Sequence, residues 1–416
     1  MDIAILTVGT EILKGRISNT NAQYMAHRLY SSGFNVREIR CVGDEESEIK
    51  KTLAGCFSRV NVVISTGGLG PTRDDVTKKA ASDFFYTRLV TDQKLSAHLE
   101  KLFQRLGYST FPERSRNQAL FPEGARILPN PRGTASGLLL EKNGKLLFLL
   151  PGVPVEMRGL LDEEVLPLLT ERFAAGRPLT LLVRTVGLGE SALAERIENG
   201  LSEGERSLLS YYPHGGMVDL VIASPESRPE AEESTVRQVA DHVAEHAADY
   251  LYARDERSLI SVIAELLVSR ELKLAVAESC TGGLFSKTIT DLPGSSAYFQ
   301  AGVVSYSNEA KTMFLGVPEQ LIREHGAVSE AVAQAMAGGI KERTGANLAL
   351  AITGIAGPGG GGEGKPVGTV YIALNDSSSQ TAVHRLNFTG DREQIRHRSA
   401  VKAAEILWRS LTKTPC

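Results

Sequence analysis

The chain has 416 residues, too many for one ordinary domain, so roughly two or three are expected. Its 42% hydrophobic and 23% charged residues are those of a globular protein able to bury a core in each domain. The net charge is −3 with no long basic run, which argues against a nucleic-acid partner held by phosphate contacts, and no apolar run reaches the ~18 residues of a membrane span. Met1 to Leu6 lacks the basic segment that opens a signal peptide. Cys41, Cys56, Cys280 and Cys416 are scattered without metal-ligand spacing. A cytoplasmic protein with free thiols is expected.

Residues 1 to about 170 alternate strand and helix. Strands are predicted at Ile3–Val8, Phe34–Cys41 and Val60–Ser65, and helices at Asn19–Ser31 and Glu46–Ser58. This is the rhythm of a parallel sheet covered on both faces. Thr66-Gly-Gly-Leu-Gly-Pro-Thr-Arg-Asp-Asp75 then forms a loop at the carboxyl end of a strand, the edge where open α/β sheets bind ligands. Gly67, Gly68 and Gly70 allow a phosphate close to the backbone, and Thr66 and Thr72 add hydroxyl donors. Glu11, Asp44, Asp74, Asp75 and Glu156 are the carboxylates at predicted loop edges, each a cap, a turn former or a metal ligand. Arg116-Asn-Gln118 and the Asn130–Thr134 segment are further candidates for ribose or phosphate contacts. Leu138–Leu150, with Asn143-Gly144 at its centre, reads as a β-hairpin. Leu150-Pro-Gly-Val-Pro-Val-Glu-Met157 opens the last helix of this part.

Residues 171–253 form a smaller unit. Strands are expected at Leu179–Val186 and Met217–Ala223, and helices at Ser191–Gly200 and Glu230–Ala247. Gly187-Leu-Gly-Glu-Ser-Ala192 fits a relaxed dinucleotide-binding pattern, but the unit has few strands and no acidic residue ends the next one, so a packing turn is expected. His242-Val-Ala-Glu-His246 matches a zinc-peptidase pattern without a third ligand, and reads as an ordinary helix face. Ser207–Gly216 reads as a polar and aromatic loop, available to a neighbouring site or a second subunit. Tyr250–Glu256 reads as a short charged linker.

A new α/β part begins at Ser258. Lys273-Leu-Ala-Val-Ala-Glu-Ser-Cys-Thr-Gly-Gly283 reads as a buried strand turning sharply into a helix at Ser279. A hydroxyl there suits a nucleophile beside an oxyanion hole, a phosphate cradle, or only a helix cap. Gly302–Lys311 is a strand running into a helix that carries Lys311. Leu348–Gly360 is a buried strand ending in a glycine-rich loop, Lys365–Leu374 is another strand, and Phe388–Arg396 enters the final helix. Three strand ends and one helix start are therefore expected at one edge. The glycine loop is no P-loop, because Lys365 is followed by proline. Cys280 is a rival nucleophile, but with no histidine close in sequence it reads as packing.

Several of these stretches resemble one family. Val8-Gly-Thr-Glu-Ile-Leu13, Thr66–Asp75 and Pro151–Met157 resemble the molybdopterin-binding-like domain of the competence/damage-inducible CinA family. Glu278-Ser-Cys-Thr-Gly-Gly283 resembles that family's C-terminal amidohydrolase domain. The resemblance spans essentially the whole chain. It implies an α/β protein of three parts. These are a doubly wound molybdopterin-binding-like domain at 1–170, a small α+β KH-like domain at 171–253, and an α/β amidohydrolase domain at 254–416.

It further implies two activities. The C-terminal domain is expected to deamidate nicotinamide mononucleotide without a cofactor, with Ser279 as nucleophile and Lys311 as base, assisted by Tyr306 and Arg396. A lysine acts as base only if its pKa falls far below ~10.4, which burial or a nearby cation can do, and Arg396 would supply such a cation. Cys280, Thr281, Gly282, Gly283, Asn308, Thr353, Gly354 and Gly357 would hold the nucleotide, and the Cys280 and Thr281 N–H groups would stabilise the oxyanion. The N-terminal domain is expected to cleave ADP-ribose with a divalent Mg, Mn or Co ion. There Glu11, Asp44, Asp74 and Asp75 would hold the metal, and Thr66, Gly67, Gly68, Gly70, Thr72 and Asn117 the substrate. A homodimer is expected, with no membrane or nucleic-acid partner. The alternatives are molybdopterin or nucleotide binding by the first domain, and a non-catalytic scaffold in competence or DNA repair.

Overall fold

The computed structural model describes residues 1–72, 75–105, 117–173, 179–223, 233–376 and 381–412. It divides into two units, Met1–Pro178 and Leu179–Cys416. The strands of the first unit are β1 (Asp2–Val8), β2 (Asn35–Val42), β3 (Val62–Thr66), β4 (Leu89–Thr91), β5 (Leu120–Pro122), β6 (Arg126–Leu128), β7 (Gly137–Lys142) and β8 (Lys145–Leu150). Six of them form one sheet in the order β2-β1-β3-β8-β7-β6, parallel from β2 to β8 and antiparallel beyond.

Alternation along the buried strands sends side chains to both faces. Ile3, Ile5, Val62, Ile64 and Phe148 meet Ala22, Met25 and Leu29 of the helix Thr20–Ser31. Ala4, Leu6, Val63 and Leu147 meet Ile49, Leu53 and Phe57 of the helix Glu46–Phe57. The expected hairpin joins β7 to β8, with both turn residues at positive φ, Asn143 at 53° and Gly144 at 74°.

The second unit holds two sheets. The smaller consists of β9 (Thr180–Val186), β10 (Leu209–His214), β11 (Met217–Ala223) and β12 (Leu251–Ala253), in the antiparallel order β10-β11-β9-β12. Two readings change here. Ser207–Gly216 is not a loop, because Leu209–His214 pairs with β11 across a Gly215-Gly216 turn; Pro213 is tolerated because β10 is an edge strand. The expected linker at Tyr250–Glu256 contains β12, the opposite edge. Tyr252 and Ala253 enter the same hydrophobic core as the C-terminal helices, so the middle and C-terminal parts share one unit.

The larger sheet is β14-β13-β15-β16-β17, from β13 (Leu274–Glu278), β14 (Phe299–Val304), β15 (Leu348–Gly354), β16 (Thr369–Asn375) and β17 (Ala382–Asn387). The first three are parallel and the last two antiparallel. One face carries the larger side chains Leu274, Val276, Leu350 and Ile372, packed on Leu267 and on Ala403 and Leu407 of the final helix. The other face is mostly alanine (Ala275, Ala277, Ala349, Ala351, Ala373), which lets the helix Glu330–Thr344 approach closely. Among the described residues no helix is long and apolar enough to cross a membrane.

Candidate functional sites

The carboxyl ends of β13, β14 and β15 lie side by side, with Glu278 in register with both Val304 and Ile352. Ser279 leaves β13 with its N–H on the Ile352 carbonyl at 2.9 Å. The helix does not begin there. Residues 279–283 form a turn in which Gly282 (φ 59°) and Gly283 (φ 91°) take left-handed conformations, and the helix starts at Leu284. Nor is Ser279 its cap. The buried Glu278 carboxylate accepts the N–H groups of Gly283, Phe285 and Ser286 at 2.8–3.1 Å, and the Ser286 hydroxyl at 2.7 Å. The N–H groups expected to be free at this helix start are therefore taken. Those of Cys280 and Thr281 meet no oxygen acceptor among the described residues; both interact with the Cys280 sulfur, a weak acceptor.

Lys311 reaches the turn from the helix Asn308–Leu315, where Ser307 caps the start through the Ala310 N–H. Its Nζ lies 3.1 Å from Ser279 Oγ, 2.9 Å from the Ser305 carbonyl and 3.2 Å from the Tyr306 carbonyl. The lysine is 1% exposed and the serine 8%. Burial pushes the lysine pKa below its ordinary value. Burial is one of the two expected causes; the other, a neighbouring cation, does not contribute. Arg396 instead donates from Nε and Nη2 to the Thr281 carbonyl, at 3.3 and 2.7 Å, and so clamps the 279–283 turn. Burial lifts the Cys280 thiol to about 12, which agrees with its reading as a packing residue.

Other expected contacts are redistributed. The Thr353 hydroxyl donates to the Ala327 carbonyl at 2.9 Å and so fixes a neighbouring segment. Gly354 is a packing position, where a Cβ would come within 3.1 Å of the Cys280 sulfur. Asn308 is exposed at the helix start. Tyr306 is exposed, and its hydroxyl accepts from Arg392 Nη2 at 2.9 Å, while Arg392 Nη1 donates to the Gly357 carbonyl at 2.8 Å. Arg392 thus straps two loops together at the rim of the dyad. The motif Phe388–Arg396 contains two arginines four apart, and only the fold separates their tasks.

The first unit has a cavity of about 500 Å³ at the ends of β1, β3 and β8, lined by the glycine-rich loop, Glu11, Asp44, Gln118 and Glu156. A Cβ on Gly67 would lie 2.1 Å from the Val8 carbonyl oxygen, and one on Gly68 2.1 Å from Thr77 Oγ1, so both positions need glycine. The N–H groups of Gly68 and Leu69 have no acceptor among the described residues. The hydroxyls expected to face a phosphate do not do so. Thr66 donates to the Pro151 carbonyl at 2.7 Å and Thr72 to Asp75 at 2.6 Å.

Asp75 also accepts the Gly70 and Thr72 N–H groups, so its carboxylate ties the loop together. Asp74 lies outside the described residues, as does Arg116. Asn117 is exposed and contributes its carbonyl to Lys78 Nζ, while its neighbour Gln118 lines the cavity. Burial lowers the Lys78 pKa to about 8. Among the described residues no group of three or more His, Cys, Asp or Glu side chains is placed to hold a metal. Glu11 and Asp44 line the same cavity and both act on the Cys41 thiol, raising its pKa, although burial is the larger cause. Two carboxylates suit an ion shared with ligand phosphates better than a cage made by protein alone.

The middle-domain motifs resolve as structure. His242 and His246 stack with centroids 3.9 Å apart, and each points a ring nitrogen at a carbonyl, that of Ile197 and of His242 respectively. Gly187 (φ 93°) sits against Glu405 and Arg409, a packing turn.

These features define a chain that joins a molybdopterin-binding type of α/β domain to a second α/β domain with a buried serine–lysine pair. Three family models match in order: a probable molybdopterin binding domain at 4–171, the damage-inducible protein CinA KH domain at 181–253, and the CinA C-terminal domain at 256–411. A CinA-like protein of Citrifermentans bemidjiense is 43% identical over 411 residues, 99% of this chain and 98% of that protein. One from Dictyoglomus turgidum is 39% identical over 412 residues, 99% of each. A crystal structure of a competence-damaged protein (CinA) superfamily protein from Klebsiella pneumoniae is 38% identical, with TM-score 0.36. It covers 38% of this chain and 97% of that one. The chain belongs to the CinA family.

Proposed function

We propose that the C-terminal domain is an amidohydrolase that converts nicotinamide mononucleotide to nicotinate mononucleotide and ammonia. The observation that carries this reading is the Lys311 Nζ to Ser279 Oγ distance of 3.1 Å between two buried groups. The carbonyls of Ser305 and Tyr306 fix two of the three directions around Nζ. When Lys311 is neutral, its two hydrogens go to those carbonyls and its lone pair faces the serine hydroxyl. Lys311 then takes the Ser279 proton as the oxygen attacks the carboxamide carbon, and returns it to the nitrogen as the C–N bond breaks and ammonia leaves. The Cys280 and Thr281 N–H groups stabilise the oxyanion, a contribution of about 3 kcal/mol per donor. Water attacks the resulting ester and loses a proton to Lys311; the C–Oγ bond breaks, Lys311 returns that proton to Ser279 Oγ, and nicotinate mononucleotide leaves. Arg396 holds the turn in shape through Thr281, and Arg392, Tyr306 and the Gly357 loop form the rim that meets the nucleotide. The test is ammonia release from nicotinamide mononucleotide in the presence of a chelator. Release that persists in Ser279→Ala overturns the mechanism.

For the first unit the proposed reaction is hydrolysis of ADP-ribose to AMP and ribose 5-phosphate. Its support is a cavity that pairs the open N–H groups of Gly68 and Leu69 with the carboxylates of Glu11 and Asp44. Those carboxylates are the residues that would hold a divalent ion, which when bound would neutralise pyrophosphate charge. The protein's own part is to receive the phosphates on backbone donors. Appearance of AMP from ADP-ribose, measured by chromatography with added Mg, Mn or Co, tests this reading; no AMP with any of the three ions overturns it.

A further inference from the structure

Glu156 stands apart from the other carboxylates of the first unit's cavity. It lies in the first turn of the helix Pro154–Leu160, directly after the Pro151–Val153 segment that forms part of the cavity wall. Its Oε2 accepts from Asn130 Nδ2 at 2.6 Å, and Asn130 is itself held through Nδ2 on the Ala135 carbonyl at 2.8 Å. The backbone of Gly133 packs so tightly on the carboxyl group that a Cβ there would lie 2.1–2.3 Å from its atoms. The side chain is therefore oriented from two sides, while Oε1 has no partner among the described residues.

No cation among the described residues pairs with it. Arg132, in the same loop as Asn130, is drawn to Glu163, and Arg158, two residues along the helix, lies over the Tyr24 ring at 4.7 Å. Among the described residues the titratable groups that share its cavity are Glu11, Asp44 and Asp75, all acidic. Asp75 accepts three bonds from its own loop, and Asp44 accepts the Thr10 N–H through one oxygen; Glu156 differs from them in being oriented by Asn130 and by the backbone of Gly133. Burial raises the Glu156 pKa above the ordinary glutamate value. A carboxylate so placed is a better proton acceptor near neutral pH than one left in water.

We propose that Glu156 is the general base for pyrophosphate cleavage in this cavity, taking a proton from the attacking water. The inference rests on the reading of the first unit as an ADP-ribose hydrolase. Water donates one proton to Glu156 and its oxygen bonds to one phosphorus. The bond from that phosphorus to the bridging oxygen breaks, and the second phosphate leaves with the electron pair. AMP and ribose 5-phosphate each keep one phosphate, and Glu156 passes its proton to solvent. Asn130 is a positioning residue, because it touches the carboxylate and acts through it.

The experiment compares the full chain with Glu156→Gln, which keeps size and shape. Three readouts are taken: ADP-ribose binding by calorimetry, the pH dependence of kcat, and a carbon-13 NMR titration of the glutamate carboxyls, in which the variant identifies the Glu156 resonance. The expected results are unchanged binding, a fall in kcat of about 10²–10³-fold, loss of the acid limb of the profile, and a Glu156 carboxyl titrating above ordinary glutamate. The proposal is overturned if kcat falls less than about threefold, if the acid limb persists in the variant, or if the carboxyl titrates normally. If the wild type binds ADP-ribose but cleaves none, the hydrolase reading fails and the base assignment with it. Cleavage retained by the variant sinks the base assignment alone.

Discussion

The two sites spend their polar groups in opposite ways. Around Ser279 the groups that shape the turn and the lysine are held by the chain: Glu278 takes the helix start, Arg396 the Thr281 carbonyl, and Ser305 and Tyr306 the lysine. The reacting atoms sit within hydrogen-bond distance before any ligand arrives. In the first unit the loop is tied by Asp75 and Thr77, but among the described residues the Gly68 and Leu69 N–H groups and carboxylate oxygens of Glu11, Asp44 and Glu156 have no partner beside a 500 Å³ cavity. A covalent mechanism needs a preassembled nucleophile and base, whereas pyrophosphate cleavage needs a shaped space in which charged oxygens and water meet.

The largest expected effect separates the sites outright. Ser279→Ala and Lys311→Met should each lower ammonia release by about 10³-fold or more while leaving ADP-ribose cleavage unchanged. A parallel loss of both activities would mean that the variants disturb folding. In the other direction, Gly67→Ala forces a Cβ against the Val8 carbonyl oxygen at a φ of 103°. Displacing the loop by about 1 Å should cost about 100-fold in AMP formation, with ammonia release intact. Equal AMP formation would show that the loop does not hold the phosphates.

The pH profile sharpens the comparison next. Lys311 acts when neutral, so ammonia release should rise about tenfold per pH unit and level off once Lys311 has lost its proton, below the ordinary lysine range. Because its folded pKa is lowered, the unfolded chain binds more protons between that value and ~10.4, so stability rises with pH in this window. Lys311→Met should flatten that rise, as followed by denaturant unfolding at several pH values. The smallest effect concerns support of the turn. Glu278→Gln sets an amide nitrogen against backbone donors and should cost about 2 kcal/mol, read from the urea midpoint together with a weaker Ser279 activity. An unchanged midpoint would show that the carboxylate is not the helix's main cap.

Much of the fold was legible because its signals are local. Asn143-Gly144 dictates a hairpin turn, and runs such as Leu274–Ala277 and Leu348–Ile352 read directly as buried strands. Edge strands were harder: β10 contains a proline and β12 has three residues, so neither carries a clear alternation. At the sites, the pairing of Ser279 with Lys311 across 32 residues came from family resemblance, and spacing alone left it open. The helix start at Leu284 and the cap by Glu278 were not legible, since Ser279 also has the chemistry of a cap.

The sequence by itself determined the order of strands and helices, the glycine turns that end them and the residue types available at each edge. These depend on backbone preferences and periodicity within a few residues. Only the tertiary structure decided which polar groups are consumed and which remain free. Thr66, Thr72, Asp75 and Thr353 are held by partners from the fold, whereas Lys311 Nζ lies against Ser279 Oγ and one oxygen of Glu156 has no partner among the described residues. That choice depends on three-dimensional neighbours and on burial, and a buried donor or acceptor costs too much to remain unpaired without a partner or a use.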